Sequence, residues 1–261
     1  MLFTPDANLV EEHRQWLAGF TAQHLKNWEK LLNANAEAAM CEAEVRRLLQ
    51  ENGNTVEPNE ELTGADQSPD FRCTQAGKVF FVEVTCISID KATQVTGLSD
   101  QPDGKGHYYR PLNDAIFEAC RQKTPQCSDT GCPVLVAVGT FHFRASAVCL
   151  GKPYLQMLLT GKELISHNID MRTGEGVGDT YLSTKLYSAA FLRPDESSGL
   201  CHARNPVSGM LLCGFGGDPF LVRGVLHPSP VHEFDRALLP KVEFCRLRPG
   251  YDSGQLSTEW L

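Results

Sequence analysis

Residues 70–87 read DFRCTQAGKVFFVEVTCI, and the reading of the whole chain starts from them. Asp70 to Thr74 and Val79 to Ile87 are two strand-like runs joined by Gln75-Ala76-Gly77-Lys78, where glycine supplies a positive φ, so the stretch predicts a β-hairpin. The second run is rich in β-branched and aromatic residues and suits a central strand. Strand side chains alternate faces, which sets Phe81, Glu83 and Thr85 on one side and Val82, Val84 and Cys86 on the other. A carboxylate therefore sits in the middle of an apolar strand, where a charge is costly unless a cation or hydrogen bonds meet it. The hairpin carries Asp70 toward Glu83, and the helix before it offers Glu42. Oxygen ligands of this kind suit a hard divalent cation such as Mg²⁺.

Working outward, Leu17, Phe20, Leu25, Trp28 and Leu31 recur at helical steps and predict one amphipathic helix over Leu9 to Leu32. Ala36 to Glu51 predicts a second, with Cys41, Val45, Leu48 and Leu49 on one face and Gly53 just beyond its end. Asn54 to Leu62 reads as a weak strand. Ser88 to Arg110, polar and broken by Gly97, Pro102, Gly104 and Gly106, reads as a loop facing a substrate. Pro111 opens a helix over Leu112 to Lys123, and Pro133 to Gly139 is a buried strand. Later come helix in Ser146 to Leu164, a glycine-rich loop from Thr173 to Asp179, and strands at Ser188 to Leu192, Gly209 to Phe215, Phe220 to Val225 and Val242 to Leu247. This alternation predicts an α/β fold, a mixed central sheet between helical layers. Residues 1–35 read as a helical extension and 36–261 as a single domain.

The 261 residues are 42% hydrophobic, with 24 basic and 32 acidic side chains and a net charge of −8. That excludes a general polycation binding nucleic acid or anionic membrane non-specifically. Residues 1–130 hold 12 basic and 20 acidic side chains, and 131–261 hold 12 of each, so the excess acid lies in the half that contains the hairpin. No apolar run reaches the roughly 18 residues of a membrane span, so no membrane partner is expected. The start MLFTPDANLVEEH has acids where a leader peptide would be basic and then apolar. With ten scattered cysteines, this reads as a cytoplasmic protein with reduced thiols.

The order helix, strand, strand, strand, helix, strand, with EAEVRRLLQENG at 42–53, Pro69-Asp70-Phe71 and FFVEVT at 80–85, resembles the PD-(D/E)XK nuclease superfamily, the restriction-endonuclease-like fold. The resemblance covers roughly residues 36–140; Tyr187-Ser188-Ala189-Ala190-Phe191 followed by Asn205-Pro206 also looks like the tail of stand-alone members. It implies a three-layer α/β/α core and hydrolysis of phosphodiester bonds in DNA, with RNA not separated from it and a homodimer allowed. Carried over by position, the hairpin aspartate is Asp70, the motif acid Glu83 and the helix acid Glu42, with Glu44 a poorer choice by phase. Asp70, Glu83 and the backbone carbonyl of Val84 would hold Mg²⁺ or Mn²⁺. The chain departs from the pattern at Thr85, which stands where the family carries lysine. Threonine could hydrogen-bond the attacking water but supplies no charge. Some relatives recruit a group from the next helix, where Arg121, Gln122 and Lys123 stand, and Lys91 is a further cation. The competing expectation is a catalytically inactive module of the same fold that binds nucleic acid or protein.

Several of these residues have plainer explanations, although a glutamate flanked by VFFV and VTCI has no obvious structural purpose. Asp70 after proline is ordinary turn chemistry, Glu42 is one of several helix acids, and Lys123 with Arg121 favours the helix dipole. Cys127, Cys132, Cys201, His202 and Cys213 match no tight zinc spacing, and RTGEGVGD lacks the Lys-Ser/Thr of a phosphate loop.

Overall fold

The computed structural model describes residues 3–59, 68–97, 99–100, 110–128, 130–149, 151–185, 189–197, 200–249 and 256–261. The predicted first helix is two, α1 (Ala7–Leu17) and α2 (Ala22–Ala34). The amides of Gly19 and Phe20 turn back onto Trp16 and Leu17, and Thr21 is extended. The break lets Leu9, Val10, Leu17 and Trp28 pack together on Ala39, Met40 and Ala43 of α3 (Ala36–Glu51). Asn35 caps α3 by accepting from the Ala38 amide at 3.1 Å, and Cys41, Val45 and Leu49 on its other face join the core beneath the sheet. Helix α3 is thus covered on both sides, which explains a burial that a single apolar stripe does not suggest.

Strands β1 (Thr55–Pro58), β2 (Phe71–Gln75) and β3 (Lys78–Cys86) form an antiparallel edge. The β2–β3 turn has Ala76 at φ 49° and Gly77 at φ 76°, the double positive φ that suits the twist of a two-residue hairpin. Helices α4 (Ile89–Thr96) and α5 (Arg110–Lys123) carry the crossover to β4 (Val134–Thr140), parallel to β3 and buried along its whole length. Helices α6 (Phe143–Cys149) and α7 (Lys152–Thr160) follow, then a hairpin of β5 (Lys162–Ile169) and β6 (Gly176–Lys185), and the short pair β7 (Leu192–Arg193) and β8 (Cys201–His202). Strands β9 (Gly209–Gly214), β10 (Leu221–Leu226), β11 (Glu243–Leu247) and β12 (Thr258–Trp260) complete a mixed eight-stranded sheet in the order β1-β2-β3-β4-β9-β10-β11-β12.

Alternation along β4 divides the core. Leu135 and Ala137 face the α3 layer, whereas Val134, Val136 and Val138 face the side of α5 and α7. The expected α/β class with a large mixed central sheet between helical layers is therefore what the chain adopts.

Two segments differ from the sequence reading. The loop expected from Ser88 onward begins as α4, because Ser88 caps it by accepting from the Lys91 amide at 3.2 Å and Glu37 of α3 accepts from the Ile89 amide at 2.7 Å; residues 98 and 101–109 lie outside the described residues. The helix expected to run to Leu164 stops at Thr160, where Gly161 at φ 89° releases β5. The glycine-rich segment supplies the turn of that hairpin and the start of β6. Residues 60–62 of the weak strand, and Tyr187 and Ser188, are outside the described residues; Ala189 to Phe191 are fully buried and Arg204 donates to the Ala189 and Ala190 carbonyls.

Candidate active site

Glu83 sits in the middle of β3 with no exposed surface. Val82, Val84 and Cys86 face the α3 side, so Glu83, with Phe81 and the half-buried Thr85, faces α5. Its partner there is Lys123, in the last turn of α5, with Nζ 2.5 Å from Oε1. The lysine side chain keeps 27% of its surface, so solvent reaches the pair along its stem. The three polar side chains at this helix end separate cleanly. Arg121 and Gln122 bind Glu118 on the same helix, and only Lys123 turns inward. Lys91 is exposed on α4 rather than in a loop.

Asp70 is placed by the end of a strand. The odd residues of β3 bond to β4, as the amides of Phe81 and Ile87 on the Pro133 and Gly139 carbonyls show. The N–H and C=O of Val84 therefore point toward β2. The β2 ladder ends at Phe71 opposite Val82, and Asp70 Oδ2 accepts from the Val84 amide at 2.6 Å in place of the missing partner. The Val84 carbonyl looks out over the same strand end. Asp70 is itself held by its carbonyl accepting from the Asn59 amide at 2.8 Å. So Asp70 is more than a turn residue: its carboxylate finishes the edge of the central hairpin.

Glu42 comes from the opposite layer and meets this group only beyond the end of β2, where it lines a small cavity with Asp70 and Phe71. The cavity, about 20 Å³, is of water size. Its far wall is His13, Trp16, Leu17, His24 and Trp28 from α1 and α2. The sequence reading missed these side chains, since an apolar helical stripe carries no signal that one end will abut an acid. Glu44 lies elsewhere, paired with Arg47 at 2.6 Å, and burial pushes its carboxyl up to about 7.

The fields of the three acids converge on Lys123. Burial alone would lower its pKa, but the charge and hydrogen bond of Glu83, joined by the charges of Asp70 and Glu42, outweigh that effect and hold the ammonium above the ordinary lysine value. Lys123 is therefore a fixed positive charge at neutral pH and not a proton acceptor. The donors Asp70, Glu83 and the Val84 carbonyl are hard oxygens whose chemistry fits Mg²⁺ or Mn²⁺. Among the described residues, however, no three His, Cys, Asp or Glu side chains are already gathered around one point as a metal cage. Cys127 lies in the α5-side core and Cys213 on the α3 side of the sheet, so these two thiols of the zinc arrangement considered above are separated by the sheet.

No family model matches this chain, and searches of curated proteins and of solved structures return no match. Among the described residues no helix is long and apolar enough to cross a membrane.

Proposed function

We propose that Glu42, Asp70, Glu83 and Lys123 form a phosphodiester-hydrolysing site acting on DNA with Mg²⁺ or Mn²⁺, and that Lys123 takes the part that Thr85 cannot. The observation that carries this reading is the seating of a helix lysine on the buried strand carboxylate two residues before the threonine. A positive charge there can stabilise the charge that develops on a phosphoryl group, and because it stays protonated it acts by charge and orientation rather than by removing a proton. Thr85, on the same face of β3 as Glu83, can orient water through its hydroxyl. Asp70, Glu83 and the Val84 carbonyl are the groups that would hold the cation, which when bound supplies Lewis-acid polarisation of a phosphoryl oxygen and neutralises local acid. In the cation's absence this acidic half of the chain repels DNA, so binding should depend on divalent metal and fall steeply with salt.

A second reading, a non-catalytic module, has its own observation: Glu83 is ion-paired and Asp70 is bonded to the Val84 amide, so both acids already serve the fold. One experiment separates the two. Wild type, Asp70→Ala and Lys123→Arg are incubated with linear, circular and single-stranded DNA in Mg²⁺ or Mn²⁺, and metal binding is followed by calorimetry. Cleavage by wild type that is lost in Asp70→Ala and reduced in the lysine variant, which keeps the positive charge but not its placement, supports the hydrolase. Absence of both cleavage and metal binding in folded wild type supports the module.

A further inference from the structure

A group of thiols lies on the α3 side of the sheet, one residue away from two members of the candidate site. Cys86 of β3 stands directly opposite Gly139 of β4, and Gly139 stands opposite Cys213 of β9. The three residues form one row across adjacent strands, and Cys86 and Cys213 point into the same core. The middle position lacks a side chain, and the Cys41 thiol from α3 fills the hollow. A Cβ on Gly139 would lie 2.3 Å from Cys41 Sγ. The same sulfur is 3.7 Å from the carbonyl of Thr85, the residue before Cys86, and the Cys86 thiol, together with burial, pushes the Cys41 pKa up. Adjacent strands are separated by about 4.8 Å, so a sulfur above the middle strand is a near neighbour of the side chains that flank it on the strands to either side. Accessibility distinguishes the partners: Cys41 and Cys213 are 0% and 1% exposed, whereas Cys86 is partly exposed.

We propose that Cys41 and Cys86 are an oxidisable dithiol, a modification site in which a hydroperoxide converts the pair to a disulfide that ties α3 to the end of β3. The sulfur of Cys86, the more accessible of the two residues, attacks the peroxide: an S–O bond forms, the O–O bond breaks, and the departing oxygen leaves as water with the thiol proton when the oxidant is hydrogen peroxide. Cys86 is then a sulfenic acid, oxidised by two electrons. The Cys41 sulfur attacks it; the S–S bond forms, the S–O bond breaks, and the hydroxyl leaves as a second water with the Cys41 proton. Two thiols and one peroxide thus give one disulfide and two waters. Transient bonds of this kind are the form in which disulfides serve reducing compartments. Cys41 precedes Glu42 and Cys86 follows Thr85, so the bond would fix the two elements that carry them.

The test treats the folded full-length chain with equimolar hydrogen peroxide, blocks remaining thiols with iodoacetamide and maps the unreduced digest by mass spectrometry. The expected product is a Cys41–Cys86 linked peptide, two hydrogens lighter than the sum of its parts, lost on treatment with dithiothreitol. Cys86→Ser, whose fold is checked by circular dichroism, should yield no linked peptide and leave Cys41 available to the alkylating agent after unfolding. A Cys41–Cys213 link, accumulation of Cys86 as sulfinic acid with Cys41 still a thiol, or a Cys41–Cys86 link formed only in denaturant would each overturn the proposal.

Discussion

Replacing Lys123 by methionine keeps an apolar stem of nearly the same length and removes the charged amine with its hydrogen bond to Glu83. With Nζ 2.5 Å from Oε1, the pair attracts by about 7 kcal/mol at an effective dielectric of ~20. Desolvation of several kcal/mol per ion opposes that attraction, and it falls chiefly on Glu83, which has no exposed surface. The intact pair is therefore close to neutral in stability, but the variant keeps the cost on Glu83 and loses the attraction. Unfolding in urea at pH 7 with EDTA should show a loss of about 3–5 kcal/mol, with a melting temperature lower by roughly 10 °C. Adding Glu83→Gln to Lys123→Met should return most of it, since neither charge then remains buried. Because the folded pKa of Lys123 is raised, its contribution is full below the unfolded lysine value of about 10.4 and fades as pH rises through the higher folded value. A loss under about 1 kcal/mol for the single variant, the size seen for exposed pairs, would refute the view that Glu83 is a buried charge held by this lysine.

Other perturbations test the layers around the site. Burial raises Glu44 to about 7, so the folded state holds a proton there that the unfolded state releases near 4.5; stability from this group is full below 4.5 and lost as pH rises to 7. Glu44→Gln should accordingly stabilise the protein by roughly 2–3 kcal/mol at pH 8 and by little at pH 4.5 in urea titrations. Burial, aided by Arg46, lowers His13 to about 3, so between pH 6.5 and 3 only the unfolded chain takes up this proton. In His13→Phe, the wild-type loss of about 1.4 kcal/mol per pH unit in that range should disappear, and parallel wild-type and variant curves would contradict it. Gly139→Ala puts a methyl into the Cys41 sulfur and toward the Phe215 ring and should cost about 1–3 kcal/mol. Combining it with Cys41→Ala should recover part of that loss, a coupling read from a double-mutant cycle.

Alternation within FFVEVTCI was enough to place Glu83 on one face and Val84 and Cys86 on the other, and Gln75-Ala76-Gly77-Lys78 marked the hairpin, whose turn the structure narrows to Ala76 and Gly77 by pairing Gln75 with Lys78. The same reasoning ran short wherever a partner came from another layer. Glu83 demanded a cation, yet nothing local distinguishes Lys123 from Arg121 and Gln122; helix phase and the docking of α5 decide it. Pro69-Asp70 reads as a turn, and it becomes the cap of Val84 only because β2 begins one residue after Asp70 and its ladder reaches only Val82, two residues short of Val84. The aromatic wall of His13, Trp16 and Trp28 was invisible because one continuous stripe does not reveal where the helix breaks. Polar composition concealed α4, since only Ala92 of that helix is fully buried and its start depends on Glu37 from a distant helix.

The bond between Glu83 and Lys123 spans 40 positions of chain and joins the sheet to the helix of the crossover that follows it. A partly folded chain with β3 seated between its neighbours but α5 still undocked would have to bury the glutamate charge without its lysine or take up a proton. Either state is unfavourable near neutrality. The glutamate should therefore penalise half-formed arrangements and couple the sheet to its α5 layer, an outcome to be read as common exchange behaviour of the amides of β3 and α5.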